Sequence, residues 1–321
     1  GSENLCHDNW VIRPSLASRP DKSVKPWIYL SLCVIHNLLG RIGINFKSID
    51  KTRLIEYNNA DVIINSGGDQ TSGDQGFGVS VFLNLTYGIL LNKPIVLYGE
   101  SLGYFKNTIL NWCATQVFQR IGLIILREDL SLEYLKKNNI SRPKIFVTAD
   151  PAFNLQPAAS NVIEEVLIRE NINIEPSNKI IGINPSELMS QMTNSDNYLT
   201  TTVKLINKIT AKPGVNVLLI PHVYSENVDD RECIRRIISQ MPSKSQIFAI
   251  DNEYSPQILK GIIGRCDIFI GGRMHATIAS TSMLVPTIGV AYSHKMHGII
   301  GQMLGMDKYI LDLKITHMKI S

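Results

Sequence analysis

Asp267–Ala276 (DIFIGGRMHA) sets an apolar run, two glycines, a cation and the start of a helix side by side. The run Asp267–Ile270 is β-branched and aromatic without alternation, which is how a strand buried on both faces reads. Ala276, Thr277, Ala279 and Ser280 then begin a helix of small residues, able to lie close against a sheet. Strand, glycine turn and helix in that order make half of a βαβ unit. The rhythm extends outward. Further strands are predicted at Lys179–Asn184 (KIIGIN), Val215–Pro221 (VNVLLIP), Gln246–Ile250 (QIFAI) and Pro286–Ala291 (PTIGVA). Amphipathic segments alternate with them, near Asn161–Arg169, Tyr198–Ile209, Val228–Gln240, Ser255–Gly264, His275–Met283 and Met296–Leu304.

The first half repeats the pattern, with strand-like runs at Asp61–Ser66 (DVIINS), Pro94–Tyr98 (PIVLY), Gly122–Leu126 (GLIIL) and Lys144–Thr148 (KIFVT). Helices are predicted near Trp27–Leu39, Gly78–Leu91, Tyr104–Gln119 and Leu130–Lys137, while Glu3–Lys25 fits no period. The fold class that follows is α/β, with two Rossmann-like, doubly wound parallel-sheet domains. A break at Asn154–Ser160 (NLQPAAS) divides them into residues 1–156 and 157–321, with a cleft expected between.

Composition narrows the function. Of 321 residues, 44% are hydrophobic and 19% charged, which excludes a disordered chain or a coiled coil. Lys plus Arg is 32 against 28 Asp plus Glu, a net charge of +4, too small for a general nucleic-acid binder. Five scattered cysteines contain no CxxC pair, so neither a zinc cage nor a disulfide framework is expected, and a reducing, cytoplasmic location is. Gly1-Ser2 resembles a tag-cleavage scar, no secretory signal is visible, and Trp27–Leu39 is too short and too polar to span a bilayer.

In open parallel sheets ligands sit beyond the carboxyl ends of the strands, so the residues there are the candidates. After DVIINS come Gly67, Gly68, Asp69, Gln70 and Asp74, either a polar turn or a hydroxyl-binding site with a general base. After PIVLY, Ser101 lies in a glycine-flanked turn. After GLIIL comes Arg127, which either pairs with Glu128 or Asp150 or points into the cleft. In the second half the strands deliver His222, then Gly271, Gly272, Arg273, Met274 and His275, then His294 and Lys295. Arg273 at a helix start opposes the helix dipole, a cost that an anion at the same spot would offset. Neighbouring loops carrying Arg273, His275, His294 and Lys295 therefore predict an anion trap.

These segments resemble the polysaccharide pyruvyl transferase family. The resemblance rests on Ile63–Gln70 (IINSGGDQ), on Leu126–Leu135 with Thr148–Phe153 (LREDLSLEYL and TADPAF), on Ile270–Ala276 (IGGRMHA) and on Pro286–Leu311. It implies a GT-B-like fold and transfer of the enolpyruvyl unit of phosphoenolpyruvate to a sugar, usually as a cyclic ketal. It also implies that Arg273 and His275 match the donor-binding and acid–base positions, Lys295 the lysine after the last strand, and Arg127 a further donor contact. Glu100 departs from the family, standing where glutamine is common.

The expected enzyme is thus a phosphoenolpyruvate-dependent pyruvyl transferase making a ketal on a cell-surface glycan or its precursor. His275 would move the proton, Asp69 would serve as base from the first domain, and Lys295 would stabilise the departing phosphate. Phosphoenolpyruvate is a co-substrate, and neither a cofactor nor a metal is expected. The acceptor sugar is expected on a polymeric or lipid-linked glycan, and a lipid-linked one would bring the protein to the inner face of the membrane, with Trp27 and Ile28–Leu39 as one candidate contact surface. Two alternatives stay open: a nucleotide-sugar glycosyltransferase using Asp251 or Glu253 on a ribose, and a non-catalytic glycan- or anion-binding relative.

Overall fold

The computed structural model describes residues 5–7, 10–12, 57, 59–68, 79–103, 105, 107–193, 195–225, 228–243, 245–292 and 294–313. The chain divides into two compact units, Gly1–Thr148 and Ala149–Ser321.

In the first unit, β1 (Leu5–His7) and β2 (Trp10–Ile12) form an antiparallel pair within a stretch whose sequence shows no period. Four parallel strands follow in chain order: β3 (Ile63–Gly68), β4 (Ile95–Glu100), β5 (Leu123–Leu126) and β6 (Lys144–Val147). They are linked by α1 (Val79–Leu90), α2 (Thr108–Phe118) and α3 (Asp129–Lys137). Each crossover steps the same way, so right-handedness places all three helices on one face. The buried side chains agree: Leu85, Ala114, Phe118, Tyr134 and Leu135 close over Ile95, Leu97, Ile124 and Leu126. Asn107 caps α2, its Oδ1 accepting from the Ile109 and Leu110 amides at 2.9 and 3.0 Å. The helix expected over Trp27–Leu39 lies outside the described residues.

The second unit holds a six-stranded parallel sheet. Its strands are β7 (Lys179–Asn184), β8 (Val215–Leu219), β9 (Ile247–Ala249), β10 (Ile268–Gly271), β11 (Thr287–Ala291) and β12 (Ile310–Asp312), arranged in the order β12-β11-β10-β7-β8-β9. The chain winds outward from β7 to β9, then returns across the sheet to β10. Winding therefore reverses between β7 and β10, the doubly wound arrangement. Helices α4 (Ser160–Arg169), α8 (Pro256–Ile263) and α9 (Met274–Ser282) pack with Leu218 and Phe269. Helices α6 (Ser195–Thr210) and α7 (Asp230–Ser239) pack with Ile183, Val217 and Leu219. Adjacent residues Val217 and Leu218 thus serve opposite faces, as strand alternation requires. Short α5 (Glu187–Met192) follows β7, and α10 (His294–Met296) runs on as a π-helical turn over His297–Met303.

The sequence reading ended the first domain at residue 156. In the structure Pro151–Asn154 forms a 3₁₀ turn in the second unit, opened by the Asp150 side chain accepting from the Ala152 amide at 2.8 Å. Ala152 and Phe153 pack against Ile278, Ala291 and Met296, and Lys260 Nζ donates to the Phe153 carbonyl at 3.3 Å. No helix among the described residues is long and apolar enough to cross a membrane.

Candidate active site

Where a sheet winds both ways, the loops leaving its two central strands part, and ligands bind between them. Here those strands are β7 and β10. Asn184 ends β7 and ties the neighbouring strands together: its Oδ1 accepts from the Arg273 amide, and its Nδ2 donates to the Ile220 carbonyl, both at 2.9 Å. The Gly272 amide donates to the Asn184 carbonyl at 3.0 Å. A Cβ on Gly272 would stand 2.8 Å from that same oxygen, and one on Gly271 would run into Thr277 Oγ1. Both glycines are thus accounted for by backbone and side chains packed at the strand ends.

Arg273 is the N-cap residue of α9, and its side chain makes no capping bond. The guanidinium instead pairs with Asp230: Nη2 reaches Oδ1 at 2.6 Å, and Nε lies 3.3 and 3.2 Å from the two oxygens. The same carboxylate accepts from the Glu187, His222 and Val223 amides at 3.0, 3.2 and 3.0 Å. The sequence placed a bound ligand opposite Arg273 to offset the helix dipole. The protein itself provides a carboxylate there.

His275 lies exposed in the first turn of α9. His222 follows β8 and is half-buried, with its Nδ1 buried and lacking a hydrogen-bond partner. Burial lowers its pKa to about 4, and the charges of His275 and Arg273 push the same way while Asp230 opposes them. The imidazole is therefore neutral at physiological pH. Met274 is half-buried and packs against the cluster that holds Ile278, Ala291 and Met296.

Lys295 lies in α10, just beyond β11. Gly271 and Gly289 are partners across β10 and β11, so Arg273 and Lys295 follow the same end of adjacent parallel strands. Lys295 is 5% exposed, and burial lowers its pKa from 10.5 to about 8. His294 opens α10.

Two candidates of the first unit, Arg127 and Ser101, are interior. Arg127 is 1% exposed and donates through Nε to Ser101 Oγ at 2.8 Å. The turn amides are engaged as well: Ser101 N donates to the Gly68 carbonyl at 3.0 Å, and Leu102 N to Ser131 Oγ at 2.7 Å. Glu100 is buried and accepts from Asn65 Nδ2 at 2.5 Å. Glu128 caps α3, accepting from the Ser131 amide at 3.0 Å and from its hydroxyl. Gly68 ends β3 with φ 121°, and Asp69 and Gln70 lie outside the described residues. Asp251, offered for a ribose, accepts from Arg235 Nη2 at 2.8 Å in an exposed pair.

Sequence reasoning missed Asp230 and Asn184. One signal was available for the former: two aspartates, Asp229 and Asp230, stand together at the start of α7, whose N-terminus needs a single cap. Asp229 supplies that cap, accepting from the Arg231 amide at 2.9 Å, which leaves Asp230 for another task.

A family model described as "Polysaccharide pyruvyl transferase" matches residues 4–294. The amylovoran biosynthesis protein AmsJ of Erwinia amylovora is 27% identical over 258 residues, covering 74% of this chain and 58% of that protein. The chain thus spans less than two thirds of that relative. Among solved structures, the UDP-GlcNAc 2-epimerase of Methanocaldococcus jannaschii superposes with a TM-score of 0.54 at 11% identity, over 85% of this chain and 74% of that one. The S. aureus MnaA–UDP structure gives 0.51 at 12% identity, over 83% and 71%. At such identities the likeness is one of fold: two Rossmann-like α/β units.

Proposed function

The chain belongs to the polysaccharide pyruvyl transferase family, and from that premise we propose that it transfers the pyruvyl group of phosphoenolpyruvate to a sugar of a surface glycan or its precursor, closing a ketal and releasing phosphate. The observation that carries this reading is the setting of Arg273, His275 and Lys295 after the same ends of β10 and β11, next to the reversal of winding.

The chemistry suits these groups. A proton added to the methylene carbon of phosphoenolpyruvate leaves C2 electron-poor. One sugar hydroxyl then attacks C2 and loses its proton. The C2–oxygen bond to phosphate breaks, and a second hydroxyl closes the ring and gives up its proton in turn. Of the two hydroxyl protons, one replaces that spent on the new methyl group and the other leaves with phosphate. His275, the exposed imidazole of the trio, serves as the acid–base group, and such groups contribute ~10²–10⁴-fold. Arg273 holds the carboxylate or phosphate through the guanidinium hydrogens that Asp230 does not take. Lys295, with a pKa of about 8, is largely charged at neutral pH. Bound phosphate favours that charge further and is stabilised by it as it departs. The acceptor is a sugar of a polymeric or lipid-linked glycan, a reading supported by the relative named for amylovoran biosynthesis.

The test is mass spectrometry of candidate sugars incubated with phosphoenolpyruvate, combined with a phosphate assay. A pyruvyl adduct and equimolar phosphate are expected. His275→Ala should lower turnover by roughly 10²-fold or more with the KM for phosphoenolpyruvate little changed. Release of UDP from a sugar nucleotide, with no adduct, would overturn the proposal.

A further inference from the structure

We infer that Asp230 is a positioning residue for donor binding: it selects which edge of Arg273 faces the donor anion and keeps the three loops around that anion in register. The inference rests on the proposed reaction. Asp230 is fully buried, and Arg273 is only 8% exposed. The carboxylate takes donors from all three loops around the reversal of winding: Glu187 N after β7, His222 N and Val223 N after β8, and the Arg273 side chain after β10. A buried carboxylate persists only where charge and hydrogen bonds replace its water, and these partners do so.

The pairing also has a direction. Asp230 engages Nε and Nη2 of Arg273. The Nη1 hydrogens remain outside that pair, so a planar donor edge is presented in one orientation rather than swinging on a flexible stem. Asn184 fixes the backbone from which the side chain departs, since its Oδ1 accepts from Arg273 N at 2.9 Å. An anion reaching the loops then meets an arginine already aimed, and misplacement by an ångström can cost about 10²-fold. A carboxylate that served only as a core tie would set stability and leave the donor's affinity alone.

Asp230→Asn keeps the shape and removes the charge that anchors the guanidinium. The KM for phosphoenolpyruvate should rise about tenfold or more, with kcat changed much less. Combined with Arg273→Ala, it should add almost nothing to the KM of Arg273→Ala alone, because the two groups act as one. Wild-type KM in Asp230→Asn, or effects that simply add in the double variant, would overturn the inference. If Asp230→Asn does not fold, Asp230→Glu serves: it keeps the charge and displaces the guanidinium, so a raised KM supports the inference and an unchanged one overturns it. If wild-type protein releases no phosphate from phosphoenolpyruvate, the reaction fails as a reading, and calorimetric binding of inorganic phosphate decides here. Weaker binding by the Asp230 variant then supports positioning; equal binding, or none by wild type, refutes it.

Discussion

Replacing Lys295 by methionine should make the protein more stable while abolishing its proposed activity. The ammonium is almost wholly buried, and desolvation lowers its pKa from 10.5 to about 8. A fall of that size makes the charged form worse by on the order of 3 kcal/mol in the folded protein than in the unfolded chain. Between pH 8 and 10.5 the unfolded chain therefore holds the extra proton. Wild-type stability rises with pH through that window, and the full cost is present below it. Methionine keeps the length of the aliphatic stem without the charge. At about 2–4 °C per kcal/mol, the unfolding midpoint at pH 7 should rise by roughly 6–12 °C. Phosphate release from phosphoenolpyruvate should fall roughly 10²-fold or more, since the departing phosphate loses its cation. Scanning calorimetry from pH 7 to 10 reads the first effect and a phosphate assay the second. A Lys295→Met protein no more stable at pH 7, with the wild-type pH slope intact, would show that the contacts of the ammonium offset its burial.

Gly272→Ala should lower stability by about 1–3 kcal/mol and reduce activity together, because its Cβ would crowd the Asn184 carbonyl that joins β7 to the Arg273 loop; urea unfolding and the phosphate assay check both. Arg127→Ala should act differently. Its large side chain is buried and donates to Ser101, so removal should leave a cavity and an unpaired hydroxyl and cost on the order of 3 kcal/mol of stability, with the KM for phosphoenolpyruvate unchanged in the folded protein; a raised KM at wild-type stability would return Arg127 to the donor site.

Much of the fold was legible because its signals are local. KIIGIN, DIFI and PTIGVA announce buried strands by their continuous β-branched runs, and all three are central strands of the second sheet. The glycine turn before α9 was equally plain, but its purpose was not. Gly272 reads as room for a ligand until the Asn184 oxygen is seen to occupy that space. Gly99–Ser101 likewise reads only as a glycine-containing turn, and the fold shows the Ser101 amide bonded to Gly68 on the neighbouring strand.

From its own order of residues the chain determines where strands, turns and helices begin, and that Arg273, His275 and Lys295 follow strand ends. Periodicity and punctuation act over a few residues, so they survive in one dimension. Tertiary structure alone decides what each charge does. Asp230 lies 43 residues before Arg273 and meets it only because β7 brings the crossovers on either side of it together. The lowered pKa of Lys295 exists only because the fold removes water from an ammonium that the unfolded chain leaves solvated.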